Sequence, residues 1–130
     1  MKKLLALVFV LFPLLVKAED TRVASYYLNN PEKYDGQKIT LNCSYVKRDT
    51  ETSLGGAVAV FRAYTASKNN NTFQTSEINV RVPIDVAEKF VHKYGSDMKY
   101  DYNYNYSTRP MTGIFKKDGS SYYLEYTPST

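Results

Sequence analysis

The hydrophobic rhythm of this chain changes twice in its second half, and that limits its possible folds more than any other feature. From Ile78 to Val82 apolar and polar residues alternate, with Asn79 and Arg81 outward, the period of a sheet with one buried face. Pro83-Ile84-Asp85 breaks the alternation. Val86, Ala87, Phe90, Val91 and Tyr94 then recur at helical spacing on one face. Asp85 with Glu88 three residues later reads as an acidic capping box, and Gly95 as the C-terminal stop. Asp85, Lys89 and His92 fall on the wet side. The period returns to two over about Met111–Lys116 and Ser121–Tyr126, joined by a hairpin at Asp118-Gly119. A helix is therefore expected between two blocks of strands.

Upstream, Ile39, Leu41, Cys43 and Tyr45 alternate with Lys38, Thr40, Asn42 and Ser44, which predicts a first strand with the former set buried. A polar loop, Lys47 to Leu54, leads to Gly55-Gly56 and a second strand running to about Thr65. Ala57, Ala59, Phe61 and Ala63 are expected inside it, where small residues suit a narrow barrel. Val58, Val60, Arg62 and Tyr64 are expected outside, because Arg62 belongs to that phase. Before the sheet, Asp20 or Thr21 can cap a short helix whose apolar residues are Val23, Ala24, Tyr27 and Leu28. Asn30 before Pro31 ends it, and Pro31 to Gly36 reads as a turn.

Three strands, a helix and two strands is the chain order of the OB-fold, and from Gln37 to Tyr126 the chain resembles that superfamily. The resemblance implies a mainly β fold: a five-stranded OB-type barrel with one helix between strands three and four, plus a short N-terminal helix. The segment NNPEKYDGQKITLNCSYV, behind its N-terminal leader, is similar to small secreted bacterial OB-fold proteins of unassigned role. The N-terminal helix and the long Gly95–Pro110 segment depart from a minimal OB plan. A β-sandwich would need about seven short strands, which are not visible.

The resemblance also implies where a ligand would sit: across strands two and three, framed by the loops joining strands one to two and four to five. On this chain that surface carries Arg62, Tyr64, Asn79 and Arg81, with Lys47, Arg48, Lys116 and Lys117 in the framing loops. Each of these also reads as an ordinary solvated position, with arginine stems covering apolar area. A second surface is the stripe Tyr100, Tyr102, Tyr104 and Tyr106, spaced by two. On an extended strand its rings share a face, either as a stacking platform through Tyr102 and Tyr104 or as cover for the barrel.

The N-terminus supplies the localisation. Lys2 and Lys3 precede a 13-residue apolar run, Leu4 to Val16, with Val16 and Ala18 at the −3 and −1 positions of a small-residue cleavage site. The run is short for a membrane span and contains Pro13. No cysteine stands at the cleavage point for lipid attachment. Residues 1–18 are expected to be a signal peptide and 19–130 a single OB-like domain, exported to the periplasm or secreted. Removing Lys2, Lys3 and Lys17 leaves 14 basic against 13 acidic side chains, so net charge gives no strong nucleic-acid signal. With Cys43 the sole cysteine, no internal disulfide is available.

One histidine and one cysteine on a buried phase form no nucleophile–base set, and no phosphate loop or metal-spaced Cys/His group is present. Glu88 and His92 alone make a poor metal site. Asn-X-Ser/Thr triplets at Asn42, Asn70 and Asn105 matter only in a glycosylating host. The expectation is a non-catalytic exported binding module without a cofactor, its ligand or protein partner unknown. The alternatives are a protein-interaction or scaffolding subunit using Val58, Val60 and Tyr64 or a sheet edge, and a nucleic-acid or oligosaccharide binder.

Overall fold

A computed structural model describes residues 22–66, 75–96 and 108–128. Two short helices, α1 (Ala24–Leu28) and α2 (Pro31–Tyr34), precede strands β1 (Lys38–Arg48), β2 (Val58–Ala66) and β3 (Thr75–Pro83). Helix α3 (Ala87–Tyr94) follows, then β4 (Arg109–Asp118) and β5 (Ser121–Tyr126). The strands close into a barrel in the order β1-β2-β3-β5-β4. Neighbours are antiparallel except β3 and β5, which run parallel over Asn79–Arg81 and Tyr123–Glu125. This is the mainly β, five-stranded barrel expected from the double change of rhythm, with its helix between the third and fourth strands.

Closure depends on β1. Its first half pairs with β4 and its second half with β2, and Cys43 faces Arg109 on one side and Thr65 on the other. The β1–β2 register then shifts, so that Cys43 opposes Thr65 and Tyr45 opposes Tyr64, leaving Ser44 as the extra residue of a β-bulge. A bulge bends a strand, which a narrow closed barrel needs, and it displaces the inward phase by one residue. Ile39, Leu41 and Cys43 are buried as expected, but the next inward place belongs to Val46. Tyr45 is half-buried beside Tyr64, which corrects its expected core position.

Phe61, Phe90, Phe115, Leu41, Met111 and Leu124 are the largest wholly buried side chains. Phe90 carries α3 into the barrel mouth, with ring centroids 4.9 Å from Phe61, 5.0 Å from Tyr94 and 4.8 Å from Tyr126. Val86 and Val91 pack partly buried against this cluster. Burying each large ring removes apolar area worth roughly 1.5–3 kcal/mol. Gly95, at φ 80°, accepts a hydrogen bond from the Val46 amide at 2.9 Å, which ties the end of α3 to β1 just past the bulge.

Both helix starts differ from expectation. Asp85 and Glu88 form no capping box: Ile84–Val86 make a 3₁₀ turn, and α3 begins at Ala87 behind Val86. The Ile84 amide is spent on the Ala57 carbonyl at 2.9 Å, and the Ala87 amide on the Ile84 carbonyl. Helix α1 likewise has Val23 at its cap position and no side-chain cap. Its first amides go across the molecule, Ala24 to Thr65 Oγ1 at 2.9 Å and Ser25 to Ser76 Oγ at 3.0 Å. Thr65 in turn donates to the Ser76 carbonyl at 2.9 Å. Orphan helix donors need partners, and here sheet atoms supply them. The expected turn at Pro31 is the one-turn helix α2, with proline at its permissive first position. Tyr27 joins Tyr34 and Phe115, at centroid distances of 4.9 and 6.0 Å.

In the β4–β5 hairpin, Asp118 pairs with Ser121, so the two-residue turn is Gly119-Ser120, one position later than expected, with Gly119 at φ 63°. Gly113 is needed for a different reason. A Cβ there would lie 2.7 Å from Leu124 Cγ and closer still to the Glu125 carbonyl oxygen. The Gly113→Ala substitution should therefore cost about 1–3 kcal/mol, read as a lower urea midpoint. Gly56→Ala, with open space at that Cβ, should stay within about 0.5 kcal/mol of the parent. Equal midpoints for the two variants would contradict this account of the β4–β5 approach.

Candidate ligand-binding face

The register of the five strands arranges the outer face of the barrel in rows. Tyr45 of β1 stands opposite Tyr64 of β2, and Tyr64 opposite Glu77 of β3. The next row runs Lys47, Arg62, Asn79, Tyr123 and Lys116. The third runs Val60, Arg81 and Glu125. The bulge at Ser44 puts Tyr45 and Lys47 on this face; unbroken alternation would have turned both inward.

Contacts within the rows are specific. The rings of Tyr45 and Tyr64 stack with centroids 4.3 Å apart and planes 5° from parallel. The Lys47 ammonium lies 5.9 Å from the Tyr45 ring centre. Lys47 and Arg62 are directly opposed like charges, an arrangement that disfavours the sheet. Arg62 is compensated on its other flank: its hydrogen bond to the Tyr64 side chain, and then the Glu77 carboxylate at 4.0 Å, hold its charge more firmly than in water. Arg81 lies over the Tyr123 ring at 3.7 Å and pairs with Asp118 in the β4–β5 hairpin. Lys116 donates to Glu125 at 2.7 Å, and that bond pushes the lysine up.

Two loops frame the face. In the β1–β2 loop, Asp49 accepts from the Thr52 hydroxyl at 2.9 Å and from the Glu51 and Thr52 amides at 3.0 and 3.3 Å. These bonds, led by the Thr52 hydroxyl, hold its carboxyl below the usual range. Opposite stands the hairpin at Gly119-Ser120. Three shallow clefts of about 260, 410 and 280 Å³ lie between the loops. The first two share Arg62, and the second and third share Asn79, Ser121 and Tyr122, so together they cross β2 and β3 as one trough.

The structure therefore brings Arg62, Tyr64, Asn79 and Arg81 onto one face, as the spacing predicted. Tyr102 and Tyr104, with the rest of that stripe, lie outside the described residues. Lys47 and Arg48 belong to β1 itself; the loop begins at Asp49. Val60, expected as exposed apolar surface, is 4% exposed, in the cleft lined by Thr52 and Leu54 of the β1–β2 loop. Sequence reasoning missed Tyr45, Glu77, Asp118 and Tyr123. The hairpin register, had it been fixed first, would have placed Glu77 and Tyr123. Asn42 is buried, which puts its glycosylation triplet out of reach once folded. No family model, curated protein or solved structure matches this chain.

Cys43 lies in the core and His92 on the exposed side of α3. Desolvation pushes the Cys43 thiol up to about 12, so it is protonated at neutral pH. Its folded value exceeds that of the unfolded thiol. Its contribution is therefore complete below the unfolded pKa near 9 and is lost as pH rises from there through 12. Urea midpoints should fall above pH 9, and the Cys43→Ala variant should show a shallower alkaline loss. Identical alkaline slopes for parent and variant would contradict the burial of this thiol.

Proposed function

We propose that this protein is an exported, non-catalytic binding module of the OB type, and that its trough takes an extended polar ligand of little net charge, an oligosaccharide chain. The observation that carries the reading is the pairing of charge on the face. Lys47, Arg48, Arg62, Arg81 and Lys116 are set among Asp49, Glu51, Glu77, Asp118 and Glu125, five cations among five carboxylates. A polyanion gains affinity from uncompensated cations, and here Arg62, Arg81 and Lys116 each have a carboxylate partner. Tyr45 covers one face of Tyr64 and Arg81 one face of Tyr123, which reduces the ring surface left for stacking bases. Hydroxyls, an amide and guanidinium edges along a shallow trough suit the hydroxyl pattern of a sugar. Membership of the OB-fold superfamily rests on element order, strand order and the position of α3. Export rests on the N-terminal leader.

Titration with a neutral chito-oligosaccharide, followed by amide chemical shifts, should perturb Arg62, Tyr64, Asn79 and Arg81 and change little between low and moderate salt. The Arg62→Ala, Arg81→Ala double variant should lose that binding while keeping its melting temperature. Binding of oligo-dT that falls steeply with salt, without saccharide binding, would transfer the site to nucleic acid. Saccharide binding retained by the double variant would remove this face from the function. Expressed from its full sequence in a bacterial host, the protein should be recovered from the envelope fraction with Glu19 as its first residue. Cytoplasmic protein starting at Met1 would contradict export.

A further inference from the structure

Of the clefts described, the largest lies away from the trough, where α3 meets the end of β1. It measures about 600 Å³, and its apolar lining is the buried Phe61 and Ala87 with the half-buried Val91 and the exposed Ile84. Ile84 is 47% exposed, more than any other large apolar side chain described. Arg48 stands on the strand side, over the Phe61 ring at 5.3 Å, while Asp85, Glu88 and His92 stand on the helix side. Charge is handled here in the opposite way to the trough. There Arg62, Arg81 and Lys116 each have a carboxylate partner. Among the described residues, no ion pair joins Arg48, Asp85 or Glu88 to another side chain.

We infer that this cleft is the contact surface for a second copy of the chain, in an isologous two-fold dimer. The argument is self-complementarity. Under a two-fold rotation each surface must satisfy its own copy, so a patch needs both members of every pairing. This one has them: an exposed apolar knob, Ile84, beside an apolar hollow, and a cation facing two carboxylates across it. The rotation sets Arg48 of each protomer toward Asp85 and Glu88 of its partner and seats Ile84 against the partner's Val91. A purely cationic or purely acidic partner would leave one side of the cleft unmatched. The barrel is closed, so pairing through a free strand edge, the other common route to a β dimer, is not offered by the paired strands. Arg48 also lines the first cleft of the trough, but the inference does not depend on which ligand the trough takes.

Sedimentation equilibrium of the full-sequence protein should show the weight-average mass rising toward twice that of the protomer as concentration goes from about 1 to about 200 µM, a range that spans weak specific association. Ile84→Asp should weaken association on the order of thirtyfold or more, as loss of an interface anchor does. Because Ile84 is exposed, the melting temperature should hold. Arg48→Glu alone, and Asp85→Lys with Glu88→Lys alone, should each be monomeric. Mixed in equal amounts they should form a dimer, since one of the two contacts across the two-fold keeps its natural charges and the other carries them exchanged. A parent that stays monomeric throughout the range, an Ile84→Asp variant that dimerises like the parent, or a charge-exchanged mixture that remains monomeric would each overturn the inference.

Discussion

At Ser44 a single strand changes partners, and the rest of the molecule is arranged around that event. Cys43 is the last residue of β1 shared between β4 and β2, and the bulge after it bends the strand so that five strands can close. The same inserted residue reverses the phase of everything downstream. Val46 goes in, and Tyr45 and Lys47 go out beside Tyr64 and Arg62. Barrel closure and the composition of the outer face thus share one cause. The helix between β3 and β4 is tied to the same point, through the Val46 amide and the Gly95 carbonyl.

That linkage explains why the polar surface divides into two kinds. On the β2–β3 face the strands hold neighbouring side chains at fixed spacing, so acids and bases find one another within the sheet. Such a surface is pre-ordered and nearly neutral, which suits directional hydrogen bonding more than attraction of charge. Around the cleft under α3, charged side chains project from a strand end and a helix, with apolar surface between them. There the pairing is left open. The two regions differ in physical character and share one lining residue, Arg48.

How much could be read from the sequence followed from how local each interaction is. The alternation Ile78–Val82, the helical face Val86–Tyr94 and the two closing strands depend on period alone, and they stand where the pattern put them. Period turned Arg62, Tyr64, Asn79 and Arg81 outward, and the pairing of β2 with β3, which the OB resemblance implied, puts them on one face. Tyr45 was placed wrongly because a bulge leaves no mark on a two-residue rhythm until the partner strand is known. The cap signals at Asp85 and near Asp20 failed for different reasons: a 3₁₀ turn takes the Ala87 amide to the Ile84 carbonyl, and the first amides of α1 bond the hydroxyls of Thr65 and Ser76. Val60 looked like open surface because its cover comes from a loop with no period at all. Gly113 carried no signal, since its need arises from the backbone of β5.

The most direct test is where the Tyr45 ring sits. In nuclear Overhauser spectra of the labelled protein, its ring protons should show strong cross-peaks to the Tyr64 ring, with the Val46 methyl groups among the core signals. Cross-peaks from Tyr45 into the Phe61 and Phe90 rings, with Val46 facing solvent, would mean that β1 runs unbroken. The closure and the outer face described for this barrel would then both be wrong.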